Sequence, residues 1–113
     1  MTTPPATAPS LEGWDITRAG DAEWIPWGDG DRARAKILGR ADGYSVVLVE
    51  AQAGYRGMPH VHEHAEFLYV IAGRVRNQGQ ELTAGGGYAA ATGSAHEDFE
   101  ALAPSTYLLV FRI

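Results

Sequence analysis

Four histidines are spread over the 113 residues, and three of them fall in one stretch, "MPHVHEHAEF" (58–67). His60, His62 and His64 stand at alternate positions, and Glu66 follows at the next even number. Imidazole nitrogens and a carboxylate oxygen suit divalent iron, manganese, nickel, copper or zinc, and suit calcium or magnesium poorly. The first question is which of these side chains can reach one ion.

Strand geometry answers part of it. Alternate residues of a strand share a face and lie about 6.6 Å apart, so His60 and His62 can both ligate one ion. Glu66 shares their parity, but in a straight strand it would lie about 13 Å beyond His62, far outside a metal–ligand bond of about 2 Å. If Glu66 is a ligand, the chain turns at 63–65 and comes back. His64 then sits at the turn tip, pointing away, as an exposed histidine or a proton shuttle. A bare His-x-His pair is common on exposed strands; the added Glu66 and the distant His96 shift the balance. If the strand of His96 lies across the barrel from the first pair, the set becomes His60, His62, Glu66 and His96. Asp98 and Glu100 share parity with His96. Either is a candidate general base beside the site, or an arginine partner at its rim. Met58, Arg56 and Tyr44 are weaker candidates.

The elements that would carry these residues read as strands. "YSVVLVEA" (44–51) is β-branched and apolar almost throughout, which predicts a strand buried on both faces. "EFLYVIAG" (66–73) is a second, with Leu68 and Val70 inward and Phe67 and Tyr69 toward another layer or a partner subunit. "EWIPW" (23–27) suits an edge strand, "RARAKIL" (32–38) a strand with mixed faces, and "STYLLVFRI" (105–113) a final apolar strand. "GDGD" (28–31), "ADG" (41–43) and "AGGGY" (84–88) mark turns, and "RVRNQGQEL" (74–82) reads as a hairpin about "NQG". No window of about 11 residues shows helical periodicity. Short strands with turns at close intervals predict an all-β sandwich or barrel. Fourteen glycines and six prolines fit so many tight turns.

Composition narrows the class. The length suits one domain, taken as 14–113, behind a Thr/Pro/Ala-rich arm at 1–13 that is expected to be disordered. A formal charge of −5 with scattered basic residues argues against nucleic acid and against an anionic membrane. The absence of cysteine excludes disulfides, thiolate zinc sites and iron–sulfur clusters. Without a long apolar span or a secretory pattern at the start, a cytoplasmic protein is expected. Trp14, Trp24 and Trp27 crowd the first third, for packing outside the barrel or for a dimer interface.

"GYRGMPHVHEHAEFLYVIAG" (54–73) resembles the first signature of the cupin superfamily, matching it at Gly54, His60, His62, Glu66 and Gly73. "GGGYAAATGSAHEDFE" (85–100) is similar to the second signature at Gly85, Gly93 and His96. Ala91 replaces its proline and Glu100 its asparagine, and the segment 74–84 between the signatures is short, which weakens the second match but keeps the histidine. The resemblance implies a double-stranded β-helix, or jelly-roll, barrel with one divalent metal in its mouth. The whole chain looks most like the single-domain type related to the anti-sigma-factor cupin domain and to acetylacetone-cleaving dioxygenases. The anti-sigma role is disfavoured, because it needs a further zinc-binding domain. What the resemblance implies is a homodimer with a small-molecule substrate. The leading expectation is an oxygen-using dioxygenase cleaving a carbon–carbon bond of a dicarbonyl or phenolic compound. A non-redox isomerase, cyclase, lyase or hydrolase, and a non-enzymatic sensor, are the alternatives.

Overall fold

The β-branched runs form strands, and the turn residues between them set how those strands pair. The computed structural model describes residues 8–112 and contains no helix among them. The strands are β1 (Ile25–Pro26), β2 (Ala33–Ala41), β3 (Tyr44–Ala51), β4 (His60–Val61), β5 (Glu66–Ala72), β6 (Arg74–Asn77), β7 (Gln80–Thr83), β8 (Gly87–Ala90), β9 (Ala95–His96), β10 (Phe99–Ala101) and β11 (Ser105–Arg112). Every pairing is antiparallel.

Two turns are dictated by residues that tolerate positive φ. Asp42 and Gly43 (φ 53° and 81°) join β2 to β3, and Gln78 and Gly79 (φ 49° and 74°) join β6 to β7. Positive φ at both central positions defines the two-residue turn whose twist matches that of its strands. The expected hairpin at "NQG" is therefore present, with Asn77 opposite Gln80.

The strands form a six-stranded sheet in the order β1-β2-β3-β11-β5-β8, a three-stranded sheet β10-β6-β7 and the short pair β4-β9. The C-terminal β11 inserts between β3 and β5, a crossover that makes the architecture a jelly-roll barrel. Val47 and Val49 of β3, Leu68 and Val70 of β5, and Tyr107 and Leu109 of β11 face inward, and Val75 and Phe99 complete the core. Burying each valine or leucine contributes about 1.5–3 kcal/mol.

One expectation needs correction. β3 is buried on one face only, with Val46 37% exposed, because the second layer covers a single side of the large sheet. Val46, Val110 and Phe67 lie side by side on that open face, as do Leu48, Leu108 and Tyr69. Phe67, Tyr69 and Ile71 are exposed there, while Leu68 and Val70 point inward as their parity required. The three tryptophans have separate fates. Trp14 is exposed, Trp24 lies beneath Arg34 and Lys36, and Trp27 packs against Phe111. Residues 8–13 of the N-terminal arm are exposed and form no strand; residues 1–7 and Ile113 lie outside the described residues.

Candidate metal centre

The histidine segment folds back on itself. His60 starts β4 and pairs directly opposite His96 of β9. The pairing continues through His62, whose N–H donates to Ser94 O at 2.9 Å and whose carbonyl accepts from Gly93 N at 2.7 Å. The chain bends at 63–64 and β5 begins at Glu66, which is the return that strand geometry demanded. The strand of His96 is the immediate neighbour of the His60 strand rather than lying across the barrel, since β4 and β9 are one antiparallel pair.

Three imidazoles converge as a result. Ring centroids are 4.8 Å apart for His60 and His62, 5.2 Å for His60 and His96, and 5.3 Å for His62 and His96. One nitrogen from each lies within 4.8 Å of the others. His64 is not in the cluster. Glu66 borders it, with Oε2 3.4 Å from His62 Nε2 and 3.7 Å from His96 Nδ1. That same oxygen accepts a hydrogen bond from the Tyr88 hydroxyl at 2.5 Å.

The hydrogen bonds around the rings assign the free nitrogens. His60 Nδ1 donates to Met58 O at 2.7 Å, which leaves Nε2 free. The Ser94 hydroxyl donates to Ala91 O, so its oxygen accepts from His62 Nδ1 at 2.9 Å and leaves that Nε2 free. His96 Nε2 donates to Asn77 Oδ1 at 2.6 Å, which turns Nδ1 to the cluster. His62 Nε2 and His96 Nδ1 are buried and have no partner among the described residues. Buried polar atoms are nearly always satisfied, so two unpartnered nitrogens beside a third imidazole and a carboxylate fit a metal ion. Burial lowers the pKa of His96, against the pull of Glu66 and with the help of the other two histidines, and so favours the neutral ring that a metal requires. Tyr88 is pushed the other way, first by burial and then by the Glu66 charge, and stays a donor.

His60, His96 and Glu66 of the site line a cavity of about 330 Å³. They meet walls built by Trp27, Leu68, Phe99, Leu109 and Phe111, with Tyr55, Tyr88 and Tyr107 among them. Among the described residues no lysine or arginine lines it, and Asp29 is the one carboxylate besides Glu66. Met58 lies at this cavity, whereas Tyr44 packs under Arg112.

Asp98 and Glu100 do not follow His96 onto the cavity wall, which corrects the expectation from parity. Residues 97 and 98 belong to no strand, so the alternation slips and Phe99 takes the inward position. Asp98 instead accepts from Arg76 Nε at 2.8 Å and Nη2 at 3.1 Å. Glu100 accepts from Arg56 Nε at 2.6 Å and lies 3.7 Å from Arg76 Nη1. Both are arginine partners. The residues that sequence reasoning missed are Asn77, Tyr88, Tyr55, Tyr107 and Trp27. Leu68 stands opposite Tyr88 across β5 and β8, so inward parity was available for Tyr88 once that register is known.

A jelly-roll barrel with converging imidazoles inside one end is the arrangement of a metal-binding cupin. The particular family follows from the sequence: residues 14–112 match the family model described as the ChrR cupin-like domain, and the chain belongs to that family. No protein of curated function matches it. Among solved structures, an acetylacetone dioxygenase from Acinetobacter johnsonii superposes with a TM-score of 0.74 at 14% identity, over 99% of this chain and 79% of that one. KdgF from Halomonas sp. gives 0.72 at 24% identity, over 87% and 94%. The Rhodobacter sphaeroides complex of SigE with the anti-sigma ChrR gives 0.69 at 23% identity, over 100% of this chain and 61% of that one. At such identities these likenesses establish the fold alone.

Proposed function

We propose that this protein is a metal-dependent enzyme acting on a small oxygenated organic compound, as an oxygen-using dioxygenase that cleaves a carbon–carbon bond of a dicarbonyl or phenolic substrate. The observation that carries the reading is the pair of buried nitrogens, His62 Nε2 and His96 Nδ1, without a partner among the described residues, in a cluster whose His60 and His96 line an apolar cavity. Three nitrogen donors suit a divalent transition ion, and iron in that position would supply redox access to dioxygen. The protein's own part is to hold the rings through Met58 O, Ser94 and Asn77, and to keep water from the reacting end with Leu68, Phe99 and Phe111. Tyr88 and Glu66 hold a proton beside it at 2.5 Å. With no lysine or arginine among the described wall residues, the cavity suits neutral oxygenated compounds better than phosphorylated sugars. Structural likeness to an acetylacetone dioxygenase supports the choice.

The test is to purify the protein without added metal, quantify its bound ions, restore iron and follow oxygen uptake with 2,4-pentanedione or simple phenols. Tight iron and substrate-dependent oxygen consumption are expected. Activity with manganese, nickel or zinc and no oxygen demand supports a second reading, a non-redox isomerase, cyclase, lyase or hydrolase. The Tyr88–Glu66 pair favours that reading, because a placed proton serves such chemistry without an oxidant. Ligand-dependent thermal shifts without turnover would support a sensor. The working assembly in our reading is a cytoplasmic homodimer that buries the open face of Val46, Phe67, Tyr69 and Ile71; sedimentation of the purified protein tests it.

A further inference from the structure

Three phenols line the cavity, and only one has a partner among the described residues. Tyr88 donates to Glu66. Tyr55 and Tyr107 are 6% and 2% exposed, and neither hydroxyl donates to a described residue. Both rings belong to the buried core, yet neither oxygen is among the fully buried unpartnered atoms, so each hydroxyl reaches accessible space. Here the unmatched groups border open space rather than packed core.

Stacking places Tyr107 relative to the imidazoles. The Phe99 ring lies between His96 and Tyr107, with centroid distances of 6.0 Å and 5.5 Å. Phe99 thus touches both His96 and Tyr107, and the Tyr107 hydroxyl feels the Tyr55 hydroxyl and the Glu66 charge. Tyr55 packs its hydroxyl against Gly28, where a side chain would collide with it; the bare glycine, at φ 67°, leaves that room. Burial, followed by the charge of Asp29 for Tyr55 and by the neighbouring Tyr55 for Tyr107, raises both pKa values. Both hydroxyls stay protonated donors.

We propose that Tyr55 and Tyr107 are the specificity-determining donors of this cavity, and that they select a neutral compound with a carbonyl-type oxygen. Two neutral O–H groups satisfy the two lone pairs of a carbonyl. They neutralise no charge of a buried carboxylate or phosphate, and among the described residues no lysine or arginine lines the cavity to do so. Phe99, Leu109 and Phe111 accommodate an aryl or alkyl body. The inference rests on the cavity being the substrate site, but not on the metal or on oxygen.

A pair of probes of the same shape tests it on the metal-free protein. Acetophenone carries C=O where α-methylstyrene carries C=CH₂, and calorimetric or NMR titration gives the affinity of each. Acetophenone is expected to bind at least fivefold tighter. Tyr55→Phe and Tyr107→Phe should each shrink that ratio at least twofold, with α-methylstyrene affinity unchanged. The melting temperature of metal-free Tyr107→Phe should hold or rise, since the hydroxyl has no structural partner. Equal affinity for the two probes, a preference that both variants keep, binding of neither probe, or a large fall in that melting temperature overturns the proposal. Because no iron is present, a failure to consume oxygen leaves this result standing, and the two readings fail separately.

Discussion

His96 donates its Nε2 proton to Asn77 Oδ1 at 2.6 Å, and this hydrogen bond decides which nitrogen of His96 faces the cluster. Asn77 ends β6, and the left-handed Gln78 beside it holds the irregular segment after β9. Gln78 Oε1 accepts from Glu97 N at 2.6 Å and Asp98 N at 2.9 Å, and its Nε2 donates to Ala95 O at 3.2 Å. A side chain thus stands in for the ladder where the strand lapses. Asn77→Ala frees the ring to turn or change tautomer. Partners of this kind are typically worth 10–100-fold in metal affinity. Zinc affinity measured by chelator competition should fall by about that factor, with the far-ultraviolet circular dichroism unchanged.

The cluster also separates neighbouring histidines. His62→Ala or His96→Ala removes a buried nitrogen from the set and should abolish stoichiometric metal. His64 sits in the bend outside the set, so His64→Ala should keep a full equivalent. Metal analysis of the three purified variants decides the matter, and loss of metal from the His64 variant would sink the assignment.

Much of this was legible in the sequence, and the gaps have physical reasons. The bend at 63–65 follows from strand rise once Glu66 is required near His62, because it cannot approach His62 along a straight strand. Both left-handed turns announced themselves as residue–Gly pairs. Parity failed where a regular strand was assumed: two irregular residues after His96 exchange Phe99 for Asp98 and Glu100 at the cavity. β3 looked buried on both faces because a side chain's type does not say whether a second layer covers it. Asn77 and Tyr88 act on residues that are distant in sequence, through registers that no local pattern encodes.

Tyr88 reports on what Glu66 does. The hydroxyl holds the carboxylate oxygen that faces His62 and His96, so a metal and Tyr88 compete for one atom. Tyr88→Phe removes a hydrogen bond to a charged group, worth about 1.5–3 kcal/mol, and should destabilise the metal-free protein by that order. Glu66 is then free to engage the ion, so zinc should raise the melting temperature further than it does in the wild type. An equal loss with and without zinc would place Glu66 outside the coordination sphere.

Gly73 is a packing requirement as well as a backbone one. Its φ is 92°, and a Cβ there would meet Ser105 Cα at 2.6 Å and overlap Pro104 O. Gly85 has nearly the same φ, 91°, with nothing near its missing side chain. Gly85→Ala should cost about 1–3 kcal/mol from strain alone. Gly73→Ala adds a collision with backbone and should exceed it by about 1–3 kcal/mol. Urea unfolding of both variants checks the difference, and equal losses would leave strain as the whole effect.

Acid should release the brace on the ligand segment. The hydrogen bond from Arg76 holds the Asp98 carboxyl below its ordinary 3.8, helped by Gly79 N and the Arg76 charge. The folded protein thus keeps Asp98 charged to lower pH than the unfolded chain does. The pair's contribution is complete above the unfolded value and is lost as pH falls through the folded one. Both side chains are about one-third exposed, so salt should weaken the effect. Carbon-13 NMR of the Asp98 carboxyl should give a depressed midpoint that Arg76→Ala raises. Urea midpoints of the two proteins should differ at neutral pH and draw together in strong acid. A gap that persists unchanged in acid would show that Arg76 stabilises the fold through its packing and not through Asp98.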